Sequence, residues 1–202
     1  MEGPVRLWMA QWSSRDEGWA WVRMTLASTL GIDDSRLRIA RDPRGKPQLV
    51  EGGRDWHFSL SHSHGHALLA VLEGCPVGVD LEWPRPRSHL LALASRYFTG
   101  GEAATLAGLD ASERVVAFYQ LWTAKEAVLK ASGLGLAHGL RRVSMHWEEG
   151  GWRPAGFEDV GAPAAAWRLR ALPLPHPWIG HLAYVGDPRP IVFCDNGLAW
   201  TR

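Results

Sequence analysis

Very short links between strand-like segments are the feature that most constrains how this chain can fold. Alternating or continuous apolar residues predict strands at 57–61, 67–72 and 76–82. The links between them fall on residues 63–66 and 73–75. A crossover between parallel strands needs about a dozen residues or more, whereas antiparallel neighbours need only a few. We therefore expect the three strands to form a small antiparallel meander.

Helical and strand-like patterns alternate in blocks along the chain. Apolar residues at helical spacing predict helices, and shorter apolar runs predict strands. The predicted helices are 16–31, 88–97 and 112–132, and the further predicted strands are 142–147, 166–172 and 178–185. This order predicts an α+β protein of two similar α/β halves, each a small antiparallel sheet with a packed helix.

A segment rich in proline and arginine, 83–87, marks the expected junction between the halves. Residues before proline are biased towards extended conformations, which suits a connection between compact units. We expect an N-terminal half at 1–83 and a C-terminal half at 84–202, in a pseudo-twofold arrangement. Ligands often bind between such units, so we expect the functional site there.

Charge and cysteine content narrow the class of protein. The 202 residues carry a formal net charge of +1, which gives no overall attraction for nucleic acid or an anionic membrane. Cys75 and Cys194 are too few for a disulfide framework, and no apolar run reaches membrane-spanning length. We expect a soluble cytoplasmic protein without nucleic-acid or membrane partners.

The strand at 77–82 places two acids side by side. Alternation puts Gly78, Asp80 and Glu82 on one face, with the two carboxylates about 7 Å apart along the strand. Such carboxylates repel unless a cation joins them, and oxygen ligands favour Mg²⁺ or Mn²⁺. Gly78 would leave room for a ligand on that face. The alternative is an exposed strand with two solvated acids.

The helix at 112–132 carries charge close to its apolar arc. Lys125 projects near the middle of the arc, and Glu126 lies at its edge, one turn from Lys130. This end of the helix either lines a cleft, with Glu126 as a metal ligand or base and both lysines facing an anion, or is an ordinary helix end. In the second case Lys125 extends to solvent and Glu126 pairs with Lys130.

A serine- and histidine-rich strand end covers 58–63, Phe-Ser-Leu-Ser-His-Ser. Hydroxyl, imidazole and backbone donors can together hold a phosphate. Three alternatives remain open, namely a zinc site, a Ser–His nucleophile and an ordinary polar turn. The zinc site would use His57, His62, His64 and His66.

Taken in order, these motifs resemble the 4′-phosphopantetheinyl transferase superfamily, of the monomeric two-half type that activates peptide and polyketide synthases. The resemblance rests on the following segments: Gly45-Lys46-Pro47, Phe58-Ser59-Leu60-Ser61-His62-Ser63, Gly78-Val79-Asp80-Leu81-Glu82, Phe98 with Glu102, Trp122-Thr123-Ala124-Lys125-Glu126-Ala127 with Lys130, and Gly133-Leu134-Gly135-Leu136. It implies transfer of the phosphopantetheine arm of coenzyme A to a serine of an apo acyl or peptidyl carrier protein. Adenosine 3′,5′-bisphosphate is the leaving product.

The resemblance also implies roles for single residues. Asp80, Glu82 and Glu126 would bind Mg²⁺, while Lys125 and Lys130 would neutralise the pyrophosphate of coenzyme A. Ser61 and His62 would contact coenzyme A phosphates, and Lys46 and Pro47 would lie beside the nucleotide. Glu126 is the first candidate for the base and Glu102 the second. Arg41 would stand in for a basic N-terminal segment that family members often carry.

Two other functions stay open at this point. One is a non-catalytic descendant that binds coenzyme A or a carrier protein. The other is an unrelated Mg²⁺-dependent phosphohydrolase that uses the same carboxylates.

Overall fold

The structure is a computed structural model that describes residues 3–51, 55–135 and 139–194. Within these residues it contains four α-helices and eleven β-strands. The helices are α1 (Arg15–Leu30), α2 (Leu90–Tyr97), α3 (Gly100–Gly108) and α4 (Ala111–Ser132). The strands are β1 (Val5–Gln11), β2 (Arg38–Arg41), β3 (Pro47–Glu51), β4 (Trp56–Ser63), β5 (His66–Glu73), β6 (Val77–Glu82), β7 (Val143–Glu148), β8 (Gly151–Phe157), β9 (Trp167–Ala171), β10 (Ile179–Val185) and β11 (Ile191–Phe193).

Two sheets and two hairpins hold these strands. The larger sheet has the order β11–β1–β5–β4, and the smaller sheet has the order β6–β10–β9. Strands β2 and β3 form one separate hairpin, and β7 and β8 form the other. All of these pairings are antiparallel except that of β1 with β11.

Alternation along β5 explains how the layers stack. Leu69 and Val71 on one face share a core with α1, while Leu68, Ala70 and Leu72 on the other face pack against the smaller sheet. A third core lies between the smaller sheet, the helices α2 to α4 and the β7–β8 hairpin. The layers therefore run from α1 through the larger and the smaller sheet to the remaining helices.

Helix α4 begins and ends at capping residues. Asp110 Oδ1 accepts hydrogen bonds from the backbone N–H groups of Ser112 and Glu113, at 3.1 and 3.0 Å. Gly133 ends the helix with a φ of 71°, a left-handed conformation that favours glycine. Between residues 117 and 131 most side chains are buried, so α4 is a central helix rather than a surface one. Among the described residues no helix is long and apolar enough to cross a membrane.

The α+β class predicted from the sequence is confirmed, and the three predicted helices lie within two residues of α1, α2 and α4. The predicted meander is wrong in its third strand, because β6 pairs with β10 and not with β5. Strand β5 already pairs with β1 on one edge and β4 on the other, which leaves no edge for β6.

The division at residues 83 and 84 and the pseudo-twofold relation stay predictions. Strand β6 precedes that point and pairs with β10, which follows it. Strand β11 likewise pairs with β1. Both sheets therefore combine strands from the two predicted halves.

Helix α4 packs tightly against the smaller sheet at Gly78. A Cβ built there would lie 1.9 Å from the Ala127 carbonyl oxygen and 2.4 Å from the Ala131 backbone nitrogen. Both are main-chain atoms, which cannot give way without moving the helix. The space beside Gly78 that the sequence suggested for a ligand is therefore filled by α4.

We expect Gly78→Ala to lower the free energy of unfolding by about 3 kcal/mol, because the added methyl group must push α4 away from β6. Chemical denaturation measures the change. Gly101→Ala in α3 is the matched control, since a Cβ there meets nothing within 4 Å. This control should be neutral or slightly stabilising. Equal stabilities for the two variants would contradict the close contact.

Candidate functional site

The site lies where β4 runs beside β6, strands that are not paired through their backbones. The Val79 N–H donates to Ser59 Oγ at 3.0 Å, and the Leu81 N–H donates to Ser61 Oγ at 3.2 Å. Ser63 is the next residue of β4 on the same face as Ser59 and Ser61. The residue numbers rise together on both strands, so the strands run in the same direction. We call Ser59, Ser61 and Ser63 the serine seam.

Asp80 is the central carboxylate of the site and is only 3% exposed. Its Oδ1 accepts hydrogen bonds from Ser61 Oγ at 2.7 Å and from Lys130 Nζ at 2.6 Å. Its Oδ2 is buried and has no hydrogen-bond partner among the described residues. Because an unpaired buried carboxylate oxygen is costly, this atom is available to a cation.

Two glutamates flank Asp80. Burial raises the pKa of Glu126 to about 8; the Asp80 carboxylate adds to this effect, and Lys130 only partly offsets it. Burial and the Asp80 charge also raise the pKa of Glu82, whose Oε2 accepts a 3.0 Å hydrogen bond from Ser63 Oγ. Strand β6 and helix α4 thus bring three carboxylates close to one another, and the nearby positive charge does not neutralise all three.

Lys130 is the cation nearest to this cluster. Its Nζ donates to Asp80 Oδ1 and to the Val79 carbonyl oxygen, and lies 3.8 Å from Glu126 Oε2. Burial disfavours its charged form, but the carboxylates outweigh burial and raise the pKa of Lys130. The Lys130 side chain remains 26% exposed, so its ammonium can reach a ligand in the cleft.

The donor set fits a hard divalent cation. Three carboxylates offer only oxygen atoms, which suits Mg²⁺, and Asp80 Oδ2 is free to coordinate. In the described ranges, no three His, Cys, Asp or Glu side chains are placed so that they could hold a metal ion together. Glu82 and Glu126 would therefore have to move to share an ion with Asp80, and the assignment of these ligands stays a prediction.

The β2–β3 hairpin forms the opposite wall of the cleft. Lys46 Nζ donates to the Lys130 carbonyl oxygen, and Arg44 Nη1 donates to the Gly133 carbonyl oxygen at 3.3 Å. These bonds dock the hairpin turn on the last turn of α4. Lys46 and Pro47 line the resulting cleft of about 430 Å³ together with Lys130. Burial lowers the pKa of Lys46.

Arg41 and His62 lie in an adjoining pocket of about 430 Å³ that meets the cleft at Pro47. The His62 ring stacks on Trp12 with 5.0 Å between centroids, and the Arg41 guanidinium carbon lies 5.7 Å from the centre of a Trp19 ring. The structure thus brings Lys46, Pro47, Arg41 and His62 into two adjoining cavities, one of which is also lined by Lys130.

Glu102 and Lys125 form a separate ion pair with no exposed side-chain surface. Lys125 Nζ lies 2.5 Å from Glu102 Oε2, and Glu102 Oε1 accepts the Met145 N–H at 2.7 Å. Burial lowers the pKa of Lys125 to about 8, which Glu102 offsets only in part. The pair joins α3, α4 and β7 and is not brought into the cluster around Asp80. Catalytic roles for both residues, and contact of Lys125 with coenzyme A, stay predictions.

His181 is a buried residue of the site that sequence reasoning missed. It lies opposite Asp80 in the antiparallel pairing of β10 with β6, which places both side chains on the face covered by α4. Its Nδ1 lies 2.8 Å from Thr123 Oγ1. Burial lowers the pKa of His181 to about 4, so the ring is neutral. No motif marks it, because its position depends on a pairing between distant strands.

We expect Lys125→Met to lower the free energy of unfolding by about 3–5 kcal/mol, because it leaves the Glu102 carboxylate buried without its partner. The double variant Glu102→Gln/Lys125→Met should regain part of this loss, and a double-mutant cycle from denaturation curves measures the coupling. A fully stable Lys125→Met protein would contradict a structural role for the pair.

We expect His181 to make the protein less stable as the pH falls from 6.5 to 4. The pKa of His181 is lower in the folded protein than in the unfolded chain, so the unfolded chain binds more protons in this pH window. The free energy of unfolding therefore decreases as the pH decreases. The change is at most about 3 kcal/mol. His181→Gln should flatten this part of the stability profile, measured by denaturation at several pH values. An unchanged slope would contradict the assignment.

Several known proteins are similar to this chain in sequence. Residues 76–171 match the model of the 4′-phosphopantetheinyl transferase superfamily. The chain is 40% identical over 124 residues to slr0495 of Synechocystis sp., which carries this activity provisionally in its name. It is 39% identical over 120 residues to the 4′-phosphopantetheinyl transferase HetI of Nostoc sp. and 32% identical over 142 residues to Sfp of Bacillus subtilis.

These alignments cover 60%, 57% and 70% of this chain, in the same order. They span 50% of slr0495, 50% of HetI and 62% of Sfp. The chain thus spans about half to three fifths of the length of these relatives. The matched residues include β6, α4 and the carboxylates that lie between them. The chain belongs to the 4′-phosphopantetheinyl transferase superfamily.

Proposed function

We propose that this chain transfers the 4′-phosphopantetheine arm of coenzyme A to a serine of an apo acyl or peptidyl carrier protein. One observation carries the proposal: three carboxylates cluster around Lys130, which lines a cleft, and Asp80 Oδ2 has no hydrogen-bond partner among the described residues. Such a cluster suits a pyrophosphate and its divalent cation. The names of the relatives HetI and Sfp support the same activity.

In the proposed reaction the carrier serine Oγ forms a bond to the phosphorus next to the pantetheine arm. The bond from that phosphorus to the bridging oxygen breaks, and adenosine 3′,5′-bisphosphate leaves with the electron pair. The serine proton passes to Glu126 or to water. Glu102 is the second candidate, and its burial against Lys125 favours Glu126. Mg²⁺ bound by Asp80, Glu82 and Glu126, or Mn²⁺ in its place, would neutralise charge on the pyrophosphate.

The other contacts follow from the two cavities. Lys130 faces the pyrophosphate, where an ammonium stabilises the charge that develops on the leaving phosphate. Lys46 and Pro47 on the hairpin, and Arg41 and His62 in the adjoining pocket, would hold the nucleotide end. All of these groups come from one chain, so we propose a monomeric enzyme. Its near-neutral charge, and a cysteine content too low for a disulfide framework, suit a cytoplasmic protein without nucleic-acid partners.

The test is incubation with coenzyme A, Mg²⁺ and a panel of apo carrier proteins from fatty acid, polyketide and peptide synthesis. Intact-mass spectrometry should show at least one carrier gaining the phosphopantetheine arm. Coenzyme A binding with no carrier modified would favour a non-catalytic descendant. Release of inorganic phosphate instead would favour a phosphohydrolase.

We expect Asp80→Ala to reduce transfer by about 100-fold or more and to weaken the Mg²⁺ dependence of coenzyme A binding, because it removes the unpartnered oxygen. Asp159→Ala is the control, since that carboxylate is 81% exposed and pairs only with Arg142 among the described ion pairs. Rates at several Mg²⁺ concentrations give the comparison. Unchanged turnover in Asp80→Ala would refute the ligand assignment.

A further inference from the structure

The serine seam contains two hydroxyl groups that are bound to carboxylates and one that is not. Ser61 Oγ donates to Asp80 Oδ1 at 2.7 Å, and Ser63 Oγ donates to Glu82 Oε2 at 3.0 Å. Ser59 Oγ accepts only the Val79 N–H among the described contacts. The three serines lie at alternate positions of one strand, so they share a face and differ mainly in their hydrogen-bond partners.

The hydrogen-bonding capacity of Ser61 is already committed. A hydroxyl has one proton to donate, and Ser61 directs its proton to Asp80 Oδ1 while it accepts the Leu81 N–H at 3.2 Å. Ser61 is also 94% buried, with 6% of its surface exposed. It therefore has no proton left for a phosphate unless it gives up Asp80.

These bonds leave the second carboxylate oxygen of Asp80, Oδ2, without a hydrogen-bond partner among the described residues. With Oδ1 fixed by Ser61 and Lys130, the carboxylate cannot rotate freely, and Oδ2 is the oxygen without a partner. Groups that hold ligands in this way typically change metal affinity by 10- to 100-fold when they are removed. Ser63 likewise holds one carboxylate oxygen of Glu82, and its Oγ also lies 3.1 Å from His64 Nδ1.

We infer that Ser61 and Ser63 are positioning residues that aim Asp80 and Glu82 at the divalent cation, and that Ser61 does not bind phosphate through its hydroxyl. This inference rests on the proposed function only in that it places a cation at these two carboxylates. It does not depend on transfer to a carrier.

The test is Mn²⁺ binding followed by electron paramagnetic resonance, on the protein alone and with saturating coenzyme A. We expect Ser61→Ala and Ser63→Ala each to weaken Mn²⁺ binding by about 10-fold or more. Ser59→Ala is the matched control and should leave Mn²⁺ binding within about twofold, although it removes a buried hydrogen bond of the same seam. Ser63→Thr keeps the hydroxyl and should retain binding.

Coenzyme A binding in the presence of EDTA separates the two roles of Ser61. The inference predicts the same metal-free coenzyme A affinity in Ser61→Ala as in the unmodified protein. A tenfold loss there would assign the hydroxyl to phosphate and overturn the inference for Ser61. Ser63 lies at a half-buried position, so Ser63→Ala still tests the inference if Ser61→Ala fails to fold.

The outcomes also separate this inference from the proposed function. An Asp80-dependent Mn²⁺ site that weakens in both alanine variants supports the positioning roles, even if no carrier protein is modified. Equal Mn²⁺ binding in Ser59→Ala, Ser61→Ala and Ser63→Ala overturns them, even if transfer occurs. If Asp80→Ala removes no Mn²⁺ site, the positioning roles of Ser61 and Ser63 are overturned as well.

Discussion

The contact of α4 with Gly78 is the constraint on which the arrangement of charges depends. Ala127 and Ala131 touch β6 at its glycine, so the helix crosses the strand at main-chain distance. Glu126 and Lys130 each precede one of these alanines and are therefore carried to the acids of β6. A larger residue at position 78 would move both charges away from Asp80. The chemistry of the site thus depends on the absence of one side chain.

Two lysines on the same helix illustrate how surroundings decide the role of a charge. Lys125 has no exposed side-chain surface, and its bonds to Glu102 and to the Leu140 carbonyl oxygen hold α4 against its neighbours. Lys130 meets Asp80 as closely but keeps 26% of its side chain in contact with solvent. A fully buried ion pair exposes no atom to a ligand, whereas a partly exposed lysine can exchange its internal carboxylate for an external anion.

Local sequence patterns were enough to predict three of the four described α-helices and part of the candidate site. Helical spacing located α1, α2 and α4, and alternation along 77–82 placed Asp80 and Glu82 on one face. The pairing of β6 with β10 could not be read from short links, because it depends on β1 occupying the edge of β5. The roles of His181 and of the Glu102–Lys125 pair were hidden for the same reason. Each arises from elements that are distant in sequence, and their local patterns are those of ordinary strands and helices.

The serine seam has a consequence for how this strand can change over time. A backbone ladder is largely indifferent to sequence, because every residue except proline supplies the same N–H and C=O groups. Between β4 and β6 the joint is instead encoded in hydroxyl groups at alternate positions of one strand. The usual order, in which the polar positions of a strand tolerate substitution better than the apolar ones, is thereby reversed. The half-buried Leu60 makes apolar contacts that other apolar residues could also make, whereas its small polar neighbours Ser59 and Ser61 are hydrogen-bonded to Asp80 and to backbone amides of β6.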